Sequence, residues 1–248
     1  MKETVLDIQN VSRIFPNGFK ALRNVSFSVQ KGEFVVIGGK NGSGKSVLMS
    51  LIAGLDEPSE GTITVKENSV GLVFQNADAQ ILGETPEEDI MFGLRQKKLS
   101  KKLMEEKITS ALEQTGLLEK RKFSAREMSG GEKRRLAVAG ILSLEREILI
   151  FDEPFANLDY PGVVQVCNIL LELKKNGKTV LILTHELEKI LSLADRFIIL
   201  NKGEICFNGT TEDGLKLNLE EFGIRNPLVQ YNSVKDLFWG SGRGDALK

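Results

Sequence analysis

The sequence predicts an α/β protein built on a buried parallel sheet, and three observations carry that prediction. Two nearly all-apolar runs, 148–151 (ILIF) and 179–184 (TVLILT), flank an amphipathic helical segment at about 162–175. Continuous apolar strands alternating with helices mark a parallel sheet covered on both faces. A third apolar run, EFVVIG at 33–38, leads through the glycine-rich stretch GKNGSGKS at 39–46 into VLMSLIAGL, which reads as strand, tight loop and helix.

The elements before and after this core follow in order. Short β-type runs at 5–11 (VLDIQNV), 24–29 (NVSFSV), 62–65 (TITV) and 69–74 (SVGLVF) make the amino-terminal part β-rich, with turn signals at 16–18 (PNG) and 31–32 (KG). The helix opened by Lys45 stops at Gly54, a residue suited to a helix terminus. From Pro86 to about Glu145 the periodicity turns helical, through EEDIMFGL, LSKKLMEEKITSALEQTGLL and SGGEKRRLAVAGILSL, with no convincing strand, so this stretch reads as a helical insert. FIILNKGEICFNG at 197–209 predicts a hairpin turning at 201–203, and the remainder a short helical tail ending in a loose SGRGDALK. The expected organisation is one main domain over 1–212, its helical part at about 77–145, and an extension over 213–248.

Composition narrows the function. The 248 residues include 33 basic and 34 acidic ones, so no overall field favours nucleic acid or an anionic membrane surface. Cys167 and Cys206 have neither metal-ligand nor disulfide-framework spacing, which suits a reducing compartment. The start reads as a first strand instead of a signal peptide, and no run approaches the roughly 18 apolar residues of a bilayer span. The basic runs RQKKLSKK, EKRK and EKRR interleave with Glu and Leu at helical spacing and carry no aromatic platform, so they read as solvated helix faces.

The glycine stretch matches G-x-x-x-x-G-K-[ST] in its required strand–loop–helix context and reads as a phosphate cradle or as a structural turn before a helix, of which the turn has no need for the lysine. Backbone N–H groups over Gly39, Asn41, Gly42, Ser43 and Gly44 can point at phosphate oxygens, Lys45 reaches the β- and γ-phosphates, and the Ser46 hydroxyl can ligate Mg²⁺. Asp152 and Glu153 follow an apolar strand end, where open α/β sheets put ligand groups. Asp152 can hold the Mg²⁺ shell and Glu153 can orient water, although acids there also serve as caps for the next helix. His185, the single histidine, ends the other apolar strand and can contact a γ-phosphate or water, or serve structure alone. Gln75 ends SVGLVF, where its amide can ligate Mg²⁺ or water or simply face solvent. Ser129, Gly130 and Gly131 open a helix, giving either a second anion site or an N-cap completed by Glu132.

Taken together, GKNGSGKS, Gln75, MSGGEKRR, ILIFDEP, NLD at 157–159 and His185 resemble, in order and rough spacing, the ATP-binding subunits of ABC transporters, over about residues 3 to 210. The resemblance implies a RecA-like core with an antiparallel β subdomain and a helical subdomain, ATP and Mg²⁺ as cofactors, and ATP hydrolysis. It implies a head-to-tail pair in which Ser129, Gly130 and Gly131 of one ATP-binding subunit meet the γ-phosphate held by the Lys45 loop of the other. It also implies Asp159 at the dimer seam, His185 as a switch residue and Phe15 stacked on adenine. Val47 stands where the family usually has threonine, which removes a hydroxyl contact to the α-phosphate; Met128 replaces a usual leucine and Ala77 a common proline.

A narrower resemblance lies in QNADAQILGETPEEDIMFGL at 75–94 and EEFGIRNPLVQ at 220–230, which are similar to the energy-coupling factor group of vitamin and transition-metal importers. It implies a groove for the coupling helix of a transmembrane subunit, a substrate-binding membrane subunit beyond it, and an extension over 213–248 that helps hold two ATPases together. The chain is then expected at the cytoplasmic face of the cell membrane as a peripheral subunit. A soluble relative acting on nucleic acid is the competing expectation, but it usually carries a long coiled-coil insert or a tandem cassette, and this sequence has neither.

Overall fold

The structure, a computed structural model, describes residues 3–67 and 69–234. Two sheets form. A three-stranded antiparallel sheet has the order β2-β1-β4, from β1 (Thr4–Ile14), β2 (Lys20–Gln30) and β4 (Glu60–Val65). A six-stranded sheet has the order β5-β6-β7-β3-β8-β9. Its β3 (Phe34–Gly38), β5 (Val70–Val73), β6 (Ile148–Asp152), β7 (Thr179–Thr184) and β8 (Arg196–Asn201) run parallel, and β9 (Glu204–Gly209) returns antiparallel as the hairpin partner of β8.

Period-two alternation sorts the side chains of the central strands onto two faces. Phe34, Val36, Leu149, Phe151, Val180 and Ile182 face one core, packed against Val166, Ile169, Leu170 and Leu173 of α5 (Tyr160–Lys175). Val35, Ile37, Ile148, Ile150, Leu181 and Leu183 face the other, packed against Leu48, Met49, Leu51 and Ile52 of α1 (Lys45–Ile52) and the inner side of the antiparallel sheet. Each such fully buried aliphatic side chain contributes roughly 1.5–3 kcal/mol. Two-sided burial is why β3, β6 and β7 read as unbroken apolar runs.

The helical insert forms a third core from α2 (Pro86–Leu94), α3 (Lys101–Gln114) and α4 (Gly130–Ser143). Helix α4 belongs to two cores: Leu136 and Ala139 face the insert, while Ala137 and Val138 pack against the main sheet. This double burial overturns the expectation of a solvated face for EKRR. Arg134 is buried, and its guanidinium donates to the carbonyls of Phe74 and Gln75 just past the end of β5.

Two local expectations are refined. Helix α5 begins at Tyr160, two residues before the apolar pattern, because Asp159 caps it and Pro161 suits the first turn. Of the expected helical tail over 215–240, the described residues form a 3₁₀ turn, Leu219–Phe222, preceded by a short α6 (Thr211–Gly214), and Leu219 and Ile224 are buried in the main core. The expected loose end SGRGDALK lies outside the described residues. Among the described residues no helix is long and apolar enough to cross a membrane.

Candidate nucleotide site

Strand register brings the chemistry to one edge of the sheet. Gly38 of β3 pairs with Thr184 of β7, and Asp152 of β6 pairs with Leu183 of β7, so the glycine loop, Asp152, Glu153 and His185 leave adjacent strand ends. Parallel strands place such ends in one crevice.

The loop from Gly39 to Ser46 is built by packing as well as by composition. Gly44 caps α1 at φ 107° and ψ 1°, and a Cβ there would meet the Ala21 carbonyl and the Leu22 side chain, each at 2.8 Å. At Gly39 a Cβ would lie 2.3 Å from the Leu200 carbonyl. Outside helix and strand ladders, no described backbone hydrogen bond uses the N–H of Gly42, Gly44, Lys45, Ser46 or Val47, so a row of donors at a helix start is left for an anion. The Lys45 ammonium, buried, donates to the carbonyls of Gly39 at 2.7 Å and Lys40 at 3.3 Å and faces Glu153 Oε1 at 3.4 Å. Asn41 is exposed and Ser43 buried, and Val47 packs against the second core.

The acidic pair divides its work. Ser46 Oγ donates to Asp152 Oδ2 at 3.1 Å, while Asp152 Oδ1 is buried with no partner. Burial, opposed by the Ser46 hydroxyl and helped by the neighbouring Glu153 charge, pushes the Asp152 carboxyl above its ordinary range. An orphaned carboxylate oxygen beside a serine hydroxyl suits a hard divalent cation, which would relieve both the desolvation and the missing contact. Among the described residues no group of three His, Cys, Asp or Glu side chains could hold a metal alone. Mg²⁺ fits here only with phosphate oxygens and water completing its shell.

Glu153 has a left-handed backbone, φ 44°, unusual for a residue with a Cβ and worth about 1–3 kcal/mol of strain. The conformation is fixed because its N–H donates to Leu183 O at 2.8 Å, one step beyond the β6–β7 ladder. Its carboxylate accepts from Thr184 Oγ1 at 2.9 Å and lies 3.0 Å from His185 Nδ1. Neither Asp152 nor Glu153 caps α5; Asp159 does, accepting from the Gly162 N–H at 2.9 Å. His185 is 46% exposed in its side chain, so the ring has a buried edge on Glu153 and an open edge to a ligand.

The remaining expected residues lie further out. Phe15 stacks against Phe19 with centroids 6.3 Å apart, under the Arg13 guanidinium, on the β subdomain. Gln75 is exposed and lines a cleft of about 400 Å³ with Gly130, Lys133, Asn157 and Leu158. Ser129 forms a complete capping box with Glu132, so the ordinary N-cap is real; its hydroxyl accepts there and keeps its own proton to donate. Among the described residues no hydrogen bond or ion pair joins Ser129, Gly130 or Gly131 to Lys45, Ser46, Asp152 or Glu153. The structure therefore gathers the glycine loop, Asp152, Glu153 and His185 through direct contacts, while Gly130 of the serine-glycine corner shares its cleft with Gln75. Sequence reasoning missed Thr184 and Arg134; a hydroxyl closing an otherwise apolar strand, directly before the histidine, was the available signal for the first.

Comparison with known proteins gives the family. The model of the ABC transporter family matches residues 22–156. The energy-coupling factor transporter ATP-binding protein EcfA1 of Geobacillus kaustophilus is 39% identical over 92% of this chain and 88% of its own length. EcfA2 of Methanospirillum hungatei is 35% identical over 85% of this chain, which spans 56% of that longer relative. Among solved structures, CbiO1 of Clostridium perfringens, part of the CbiONQ ABC transporter complex, superposes with a TM-score of 0.80 at 28% identity, covering 87% of this chain and 92% of that one. The ATP-binding cassette MJ0796, solved as a dimer in a post-hydrolysis state with ADP and phosphate, gives 0.75 at 26% identity, covering 83% and 98%. With this breadth of similarity, the chain belongs to the ABC transporter family of ATPases and, within it, to the ATP-binding proteins of energy-coupling factor type.

Proposed function

We propose that this chain is the ATP-driven subunit of a membrane importer, closing on a second ATP-binding subunit around shared nucleotide. One observation carries the reading: the Lys45 loop, Ser46, Asp152 and Glu153 converge at one strand edge, while Ser129, Gly130 and Gly131 form a second helix start with a donor hydroxyl and, among the described residues, make no hydrogen bond to them. A mate's corner can complete what one chain holds in part. That the similar cassette MJ0796 was solved as a dimer with ADP and phosphate supports the pairing.

In this reading Gly39, Asn41, Gly42, Ser43 and Gly44 cradle the phosphates, Lys45 neutralises the β- and γ-oxygens, and Phe15 stacks on adenine. Ser46, Asp152 and Gln75 would hold Mg²⁺, which would supply charge neutralisation to the phosphate oxygens. Glu153 orients and polarises the attacking water, and His185 contacts the γ-phosphate from its exposed edge. Asp159 lies at the seam beside the mate's site. Triphosphate favours the closed pair because it alone contacts both halves, and hydrolysis removes that difference.

The membrane partner has a surface to meet. Asp78, Ile81, Leu82, Glu84, Ala125 and Arg126 line a groove of about 250 Å³ on the insert, with Leu82 67% exposed. Its wall is stiff: Asp89 Oδ1 accepts from the N–H groups of Leu82 at 2.7 Å and Gly83 at 3.0 Å, and Gln80 ties back to Phe74 and Leu72. A helix-in-groove contact from a transmembrane coupling subunit fits such a cleft, with a substrate-binding subunit beyond, and puts the chain on the cytoplasmic membrane face. The extension over 213–248 is assigned to holding the two ATPases together.

Purification of the tagged chain from membranes in mild detergent tests this. Co-purifying integral membrane subunits, lost on Leu82→Glu, are the expected result. A chain recovered without them, carrying nucleic acid instead, contradicts the importer reading.

A further inference from the structure

We infer that Thr184 is a positioning residue for hydrolysis, its hydroxyl holding one carboxylate oxygen of Glu153 so that the other stays directed at the reacting end of the site. The inference rests on the proposed role of Glu153 in polarising water.

Thr184 is fully buried at the last position of β7, and its hydroxyl has one proton to give. The oxygen accepts the Glu186 N–H at 3.1 Å, which commits the proton to Glu153 Oε2 at 2.9 Å. The carboxylate is thereby divided. Oε1 faces Lys45 Nζ at 3.4 Å and His185 Nδ1 at 3.0 Å, whereas Oε2 has the Thr184 hydroxyl and a longer approach from the His185 N–H at 3.4 Å. Without the hydroxyl, Oε2 keeps only that longer contact, and the carboxylate is free to turn both oxygens toward the lysine and the imidazole. Lys45 is needed on phosphate, so a carboxylate that collapses onto it is misplaced for water.

The strand register makes Thr184 the natural anchor. It pairs with Gly38, the residue that delivers the glycine loop, while the Glu153 N–H bonds to Leu183 on the same strand. One segment, 183–185, therefore fixes the glutamate against the strand that carries the phosphate loop. Thr184 carries no charge and lies beneath the site, so its effect falls on turnover and leaves nucleotide affinity alone.

Steady-state ATP hydrolysis by Thr184→Val, Thr184→Ser and Glu153→Gln, each beside an ATP-binding titration, tests this. Thr184→Val, nearly the same shape, is expected to lower kcat by about tenfold, the scale of one hydrogen bond to a charged group, with KM and ATP affinity unchanged. Thr184→Ser is expected to restore most of the rate, because it returns the hydroxyl without the methyl. Parental kcat in Thr184→Val, with Glu153→Gln inactive, overturns the role of Thr184 while leaving that of Glu153. Equal loss in the valine and serine variants also overturns it, since packing would then be the cause. Parental turnover in Glu153→Gln removes the underlying reading itself.

Discussion

Alanine at Gly44 and, separately, at Gly42 distinguishes a phosphate cradle shaped by the fold from one shaped only by its ligand. Both glycines have positive φ, 107° and 79°, where a residue with a Cβ costs about 1–2 kcal/mol. They differ in surroundings. At Gly44 the new Cβ would lie 2.8 Å from both the Ala21 carbonyl and the Leu22 Cδ2, whereas at Gly42 nothing lies within 4 Å. Overpacking of that kind adds about 1–3 kcal/mol. The sum is about 2–5 kcal/mol for Gly44→Ala against about 1–2 kcal/mol for Gly42→Ala. At about 2–4 °C per kcal/mol for a chain of this size, Gly44→Ala should melt well below Gly42→Ala in nucleotide-free thermal unfolding followed by circular dichroism. Equal losses, or a larger loss for Gly42→Ala, would refute the claim that β2 packing sets the loop before any phosphate arrives.

Other substitutions probe the chemistry and the insert. Lys45→Ala should abolish measurable nucleotide affinity in a fluorescent-ATP titration; an unchanged titration would remove the cradle assignment. Glu153→Gln should bind ATP as the parent does while hydrolysing it about 10²–10⁴-fold more slowly, the usual contribution of a positioned general base. In the insert, Arg121 holds the Glu87 carboxyl below its ordinary 4.5, and Lys120 does the same for Glu132. Depressed carboxylates stabilise the fold above 4.5 and lose that contribution as pH falls through their lower folded values, so thermal midpoints should drop as pH is taken below 4.5. Arg121→Met should flatten that acid loss, and an undiminished drop would show that the ion pairs do not cause it.

Much of this was legible in the sequence because the signals were local. An unbroken apolar strand, a glycine loop with its lysine and an acidic pair after ILIF depend on neighbours a few residues apart, and each folds as read. What was not legible depends on distant packing. Arg134 sits in a run whose charge and spacing suggest a wet helix face, yet α4 is shared between two cores and turns that arginine onto the carbonyls of Phe74 and Gln75. Thr184 reads as one more strand residue until the β6–β7 register brings Glu153 beside it. The tail's scattered Leu and Phe suggest a helix, but Leu219 and Ile224 are drawn into the main core, and burying them there favours turns over a continuous helix. The serine-glycine corner satisfies its capping box locally, so its own neighbours give the sequence pattern of an ordinary helix start.

The most direct measurement is the mass in solution of Glu153→Gln with ATP and Mg²⁺, by light scattering on a size-exclusion column, alone and with any co-purifying ATP-binding subunit. A nucleotide-dependent doubling of mass, abolished by Ser129→Arg, is the predicted result. A chain that stays monomeric with saturating ATP at high concentration, and in every such pairing, contradicts a nucleotide pocket shared between two copies of the cassette.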